Sequence, residues 1–191
     1  MGNPKFRVIS VSPQKKRKNR YTVQLSNGDV FGISGDVLLS NPIHTGEVLN
    51  PKTIEKLAEE VGYEIAENGA VVICGGLGGV MEAACRGAKS NGGTTIGVLP
   101  GSKANEANIW VDYVICTGLG EARNLVIIKS SHAVIAVGGG YGTLSEIGYA
   151  LKLNKPIIGL QTWSLQNPNM DNFSLKIADD PKDAVLSSIQ M

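Results

Sequence analysis

The chain alternates short apolar runs with longer segments whose apolar residues recur at helical spacing, and from Asn50 onward this alternation is regular. Ile54, Leu57, Ala58, Val61 and Ile65 repeat at three- and four-residue intervals, which predicts a helix with one buried stripe. Asn50 is placed to cap that helix, Pro51 suits its first position, and Gly69 suits the residue past its end. Residues 70–74 then read as a buried strand, followed by the glycine turn Gly75-Gly76-Leu77-Gly78-Gly79. A helix over 80–90 leads to strands over 94–99 and 111–116. Next come a helix over 121–131, an apolar strand over 132–137, and a second glycine turn. Thr143 is expected to open the following helix, in which Leu144, Ile147, Leu151 and Leu153 can share an apolar side. Residues 156–160 form a further strand, and Asp180-Pro181 starts a last helix by the same cap-then-proline pairing. Short apolar strands alternating with helices predict an α/β fold, a Rossmann-like parallel sheet with helices on both faces.

The first fifty residues follow a different pattern. Phe6-Arg7-Val8-Ile9-Ser10-Val11 is strand-like, Tyr21-Thr22-Val23-Gln24-Leu25 alternates with period two, and Asn27-Gly28 is a hairpin turn signal leading into Val30-Phe31-Gly32-Ile33. A small antiparallel meander is expected, with a short helical piece over 36–39. The organisation read from this is a β-rich appendage over 1–48 and a nucleotide-binding domain over 49–191. Charge divides in the same place. The net charge is +1, yet residues 1–50 carry seven Lys/Arg against three acids and the remainder is net acidic. Lys15-Lys16-Arg17-Lys18-Asn19-Arg20 is dense enough to raise a nucleic-acid patch. With one aromatic neighbour and no repeat it reads better as a solvated loop between strands, so no nucleic-acid partner is expected. Asn27-Gly28-Asp29, Phe31-Gly32-Ile33-Ser34 and Asp36-Val37-Leu38-Leu39 together resemble the amino-terminal segment of RecX-type recombination regulators. The helical repeats that follow in that family do not appear here, and the resemblance implies no recombination role.

At 191 residues the chain can bury one sizeable core. No uninterrupted apolar run is long enough to span a bilayer, and Met1-Gly2-Asn3-Pro4-Lys5 lacks a signal-peptide apolar region, so a cytoplasmic protein without a membrane partner is expected. Cys74, Cys85 and Cys116 have no C-x-x-C spacing and sit in apolar or helical contexts, which points to buried free thiols in a reducing cytoplasm. With His44 and His132 the only histidines, neither a metal site nor a bound cofactor is expected.

Ligands of parallel sheets sit at the carboxyl ends of the strands, where both glycine turns fall. The second, Val137-Gly138-Gly139-Gly140-Tyr141-Gly142-Thr143, joins a strand end to a helix start and would present free backbone N–H groups to a phosphate. A dinucleotide fingerprint fails at the first turn, because Met81 occupies the third-glycine position and the next strand ends Val98-Leu99-Pro100-Gly101 without a carboxylate. Neither turn holds a P-loop lysine, and no G-x-S-x-G elbow occurs. Glu146 has two readings. As the third residue after an N-capping Thr143 it would complete a capping box. As a carboxylate beside bound phosphate it would face the sugar, stabilising an oxocarbenium-like centre or activating water. Arg123, at the start of the preceding helix, either enters the same cleft or is an ordinary solvated arginine. Tyr141 either stacks on a base or caps the turn.

Gly139-Gly140-Tyr141-Gly142-Thr143-x-x-Glu146, with Arg123 upstream, resembles the LOG family of cytokinin-activating nucleoside 5′-monophosphate phosphoribohydrolases, formerly called possible lysine decarboxylases. The likeness runs from Asn50 to the carboxyl terminus. Glu121-Ala122-Arg123-Asn124 and the 137–143 turn are most similar to the branch containing molybdenum-cofactor carriers. The resemblance implies Arg123 and Glu146 as catalytic residues. It implies Gly139, Gly140, Tyr141, Gly142 and Thr143, with Gly75, Gly76, Gly79 and Met81, as binding a nucleotide or pterin-type ligand. It also implies a homodimer, for which the apolar helices around Ile127 and Tyr149 offer surfaces. Three departures stand out: Gly138 where the hydrolases usually have proline, Asn124 where they have lysine, and no evident first strand ahead of the Asn50 helix. Both a hydrolase that frees the base and a carrier that binds without turnover fit these residues.

Overall fold

A computed structural model describes residues 7–15, 18–26, 30–40, 43–46, 51–163, 165 and 175–190. The amino-terminal part is the expected meander: β1 (Val8–Pro13), β2 (Arg20–Leu25) and β3 (Val30–Ser34) pair antiparallel in that order, followed by α1 (Gly35–Ser40). Val23 and Leu25 are buried while Gln24 between them is exposed, as period-two alternation requires. The Asn27-Gly28 turn and the Asn50 cap lie outside the described residues.

The remainder alternates helix and strand. In order come α2 (Pro51–Glu67), β4 (Val72–Cys74), α3 (Val80–Ser90), β5 (Thr95–Leu99), β6 (Tyr113–Cys116), α4 (Arg123–Ser130) and β7 (Val134–Val137). After these come α5 (Tyr141–Lys152), β8 (Ile157–Leu160), β9 (Lys176–Ile177) and α6 (Pro181–Ile189). The strands form two parallel sheets, β4-β5-β6 and β7-β8-β9. β9 was not anticipated, because two exposed residues carry no periodicity to read.

Helices cover both faces. α2 packs on α3 and α6 and touches both β4 and β7, while α4 and α5 pack on each other and against β5, β7 and β8. The α2–α3 contact is set by two glycines: a Cβ on Gly62 would strike the Ala84 carbonyl, and one on Gly87 the Glu59 carbonyl. The meander is not separate from this core. Its Val8, Val23, Leu25 and Ile33 belong to one buried cluster with Leu57, Val61, Ile158, Leu160 and Val185. Arg20, the last member of the basic tract, pairs with Asp180 at 2.6 Å. Asp180 also caps α6, accepting from the Asp183 N–H at 2.8 Å with Pro181 next, which is the expected cap-then-proline start. Leu153 falls past the end of α5 and is partly exposed, so the apolar side of that helix is carried by Ile147, Ala150 and Leu151 instead. Ile127 is buried, and Tyr149 packs on the cluster around Ile147. Both therefore serve the interior of the chain. Among the described residues no helix is long and apolar enough to cross a membrane.

Candidate functional site

The site is built where β4 and β7 end. Gly138 takes a left-handed backbone (φ 66°) directly after β7, and Gly140 is extended at φ −92°, ψ −178°. This early turn lets α5 begin at Tyr141, two residues before Thr143. Thr143 therefore lies inside the first turn and is not the N-cap, and the expected Thr143–Glu146 capping box does not form. Gly140 occupies the cap position and supplies no side-chain acceptor. The first-turn N–H groups at Tyr141, Gly142 and Thr143 thus keep their capacity to meet an anion, helped by the positive end of the helix.

With the capping role gone, Glu146 has a different neighbour. Its Oε1 lies 3.5 Å from Arg123 Nη1, and both side chains are largely buried. Burial pushes the Glu146 carboxyl above its ordinary range, and the Arg123 charge only partly opposes this. Arg123 is seated by the first glycine turn: a Cβ on Gly75 would fall on its guanidinium. Gly76, at φ 71°, has Gly97 Cα 3.0 Å from where a Cβ would project.

One cavity of about 1180 Å³ is lined by Gly75, Met81, Arg123, Gly139, Gly140, Gly142, Thr143 and Glu146. Three other expected site residues do not line it. Gly76 is packed on Gly97, Gly79 serves as the N-cap of α3 at φ 68°, and Tyr141 is exposed with its ring 6.0 Å from Trp163.

Three contributors escaped the sequence reading. Asn124 is buried beside Arg123, and its Nδ2 donates to Ser145 Oγ at 2.8 Å and to the Gly142 carbonyl at 3.4 Å. This ties the start of α4 to the first turn of α5. The departure from lysine at this position was the available signal. Trp163 donates from Nε1 to the Gly140 carbonyl at 3.3 Å and sits over Gly139. Cys74 also lines the cavity, with its Sγ 3.5 Å from Cys85 Sγ and accepting from the Gly76 N–H at 3.4 Å. The Cys85 hydrogen bond, then the Gly76 N–H and the Arg123 charge, hold the Cys74 thiol below its ordinary range against the effect of burial. Its hydrogen bond to Cys74, together with burial, pushes Cys85 up, so Cys74 carries the thiolate character of the pair. Among the described residues no group of three or more His, Cys, Asp or Glu is placed to hold a metal ion.

A sequence model of the SLOG cluster4 family (LDcluster4) matches residues 43–185. The chain belongs to the SLOG cluster4 family. Its solved neighbours include a molybdenum cofactor binding protein from Rippkaea orientalis, 40% identical with a TM-score of 0.65, covering 72% of this chain and 88% of that one. The molybdenum cofactor carrier protein of Chlamydomonas reinhardtii is 39% identical with a TM-score of 0.64, covering 73% and 88%. A cytokinin riboside 5′-monophosphate phosphoribohydrolase of Mycobacterium tuberculosis is 35% identical over 118 residues, 56% of this chain and 63% of the relative. Together these place the SLOG chain in the LOG family, on the branch similar to the molybdenum-cofactor carriers.

Proposed function

We propose that this protein binds a nucleoside 5′-monophosphate-type ligand through the amino end of α5 and hydrolyses its N-glycosidic bond, releasing free base and ribose 5-phosphate. The observation that carries the reading is the buried Arg123–Glu146 pair, held one helical turn beyond an uncapped, glycine-lined helix start. The 5′-phosphate is held by the N–H groups of the first turn, and the sugar then lies toward Glu146. As the C1′–N bond breaks, its electron pair leaves with the base and positive charge develops on the ribose. The Glu146 carboxylate stabilises that centre and accepts a proton from the water that adds to C1′; the departing base nitrogen takes up a proton. A carboxyl raised by burial is a better base than an ordinary glutamate, and Arg123 orients it. Asn124 positions the turn through Ser145.

Similarity to the two molybdenum-cofactor proteins favours a second reading, in which a phosphate-bearing pterin occupies the same cradle and is carried without turnover. Under both readings the domain over 49–191 carries the site, and the β-rich segment over 1–48 is an appendage that packs into the same buried cluster. The two are separated by screening nucleoside 5′-monophosphates for released base, with Glu146→Gln beside the natural chain. The hydrolase reading expects release by the natural chain and a loss of at least ~1000-fold in the variant, with nucleotide affinity kept within several-fold. No release from any monophosphate, or full activity in a well-folded Gln variant, ends the catalytic assignment. The family resemblance also implies a homodimer, and light scattering at micromolar concentration is expected to give twice the chain mass.

A further inference from the structure

Cys74 and Cys85 are a pair of nucleophilic side chains for which base release has no use. Cys74 closes β4 at its carboxyl end, and Cys85 stands on α3 one helical turn beyond Met81, on the same face. That face meets the strand end: Cys74 Sγ lies 3.5 Å from Cys85 Sγ and 3.9 Å from the Met81 carbonyl. Sulfurs 3.5 Å apart are in contact, only about 1.5 Å farther apart than a bonded pair. The remaining cysteine, Cys116, is exposed at the end of β6, and β5 separates that strand from β4.

The two sulfurs differ in their surroundings. Cys74 is half-buried and lines the cavity, whereas Cys85 is fully buried in a small apolar cluster with Val72 and Ala88. Cys74 Sγ also accepts from the Gly76 N–H at 3.4 Å and feels the positive charge of Arg123. Both groups favour a thiolate. Access and negative charge therefore fall on the same sulfur, with a neutral thiol directly behind it. In a reducing compartment such a pair rests open, and the disulfides that do form there are transient and redox-sensing.

We propose that Cys74 is a site of oxidation by hydroperoxides and that Cys85 resolves it, closing a Cys74–Cys85 disulfide. First, the Cys74 thiolate attacks an oxygen of hydrogen peroxide. An S–O bond forms, the O–O bond breaks, and the departing hydroxide takes a proton from solvent to become water. Next, the Cys85 sulfur attacks the sulfenic sulfur of Cys74. The S–S bond forms, the S–O bond breaks, and hydroxide leaves with the Cys85 proton as a second water. The two sulfurs together lose two electrons and the peroxide gains them. Cys85 is pushed up by its hydrogen bond to Cys74, then by burial, then by the Cys74 charge. Oxidation of Cys74 removes that charge, so the first step readies the second. The disulfide closes a ring around the glycine turn 75–79 and takes a negative charge from beside Arg123. The seat of that guanidinium thereby registers the redox state, whatever ligand the cavity binds.

The test uses the full chain carrying Cys116→Ser, so that only the pair reports. Reduced protein is treated with hydrogen peroxide, quenched by alkylation and mapped by mass spectrometry. A Cys74–Cys85 cross-link within one chain is expected, with two hydrogens lost from the chain and restored by dithiothreitol. On the untreated pair, iodoacetamide should label Cys74 ahead of Cys85. Adding Cys85→Ala should stop the reaction at the sulfenic acid, trapped on Cys74 by dimedone. Adding Cys74→Ala should slow peroxide consumption at least about tenfold, because Cys85 has neither access nor thiolate character. Survival of both thiols in peroxide would overturn the proposal. So would Cys74 passing to the sulfinic acid beside a free Cys85 thiol, or Cys85 being labelled first.

Discussion

The two glycine turns look alike in sequence and do different work. Each follows a short parallel strand and leads into a helix, after β4 in one case and β7 in the other. The first is filled by the protein itself: Gly75 makes room for the Arg123 guanidinium, Gly76 is pressed on Gly97, and the Cys74 thiol just before them accepts a Gly76 hydrogen bond. The second is open at Gly140, although Trp163 covers Gly139. Gly140 has nothing within 4 Å of where a Cβ would stand, and the amino end of α5 has no side-chain cap. Glycine thus makes room for an internal cation at one turn and, on the proposed reading, leaves space for an external anion at the other. The same residue type at the same topological position does not specify which.

The sharpest way to break this contrast is a methyl group at each turn. Gly75→Ala drives a Cβ into Arg123 and should displace the guanidinium from Glu146, lowering base release ~100-fold, the cost typical of misplacing a catalytic group by about an ångström. Gly140→Ala meets open space at an ordinary backbone angle and should change the rate only a few-fold. Parallel rate measurements on the two variants decide it, and equal losses would erase the distinction. A second test concerns the open turn alone. If it holds a phosphate, AMP should bind at least about tenfold more tightly than adenosine, since each charge-assisted bond from the first turn is worth ~1.5–3 kcal/mol. Calorimetry with both ligands measures this, and equal affinities would reduce the second turn to a structural role like the first.

The smallest expected effect is on stability. In the unfolded chain Glu146 titrates at its ordinary value of 4.5, and in the folded chain burial raises it. A raised carboxyl pKa means the folded state holds the proton more tightly. The natural chain is therefore penalised as pH rises from below 4.5 through the folded value. Glu146→Gln, which cannot ionise, should melt above the natural chain at pH 7. The gap should close below pH 4.5. Thermal scans across pH check both halves of this, and a variant less stable than the natural chain at pH 7 would mean that the Arg123 pair outweighs the burial.

Much of the fold was legible because it depends on neighbours within a turn or two. The α2 stripe, the Asp180-Pro181 start of α6, the period-two burial of Val23 and Leu25, and both glycine turns all rest on local spacing. The α5 start was misread for a reason of the same scale. Thr143 with Glu146 satisfies the capping pattern, but the left-handed Gly138 had already turned the chain, so Gly140 became the cap. Missing the roles of Asn124 and Trp163 has another cause: their partners lie 18–23 residues away, beyond any periodicity.

By itself, then, the sequence determined the succession of elements, their apolar faces and the two glycine turns at strand ends, because these follow from side-chain periodicity and glycine's missing Cβ. Only the tertiary structure decided that Arg123 reaches across to Gly75 and Glu146, and that the second turn stays open at Gly140 while the first is filled. Those outcomes depend on how strands far apart in the chain are brought side by side, and residue spacing carries no record of that distance.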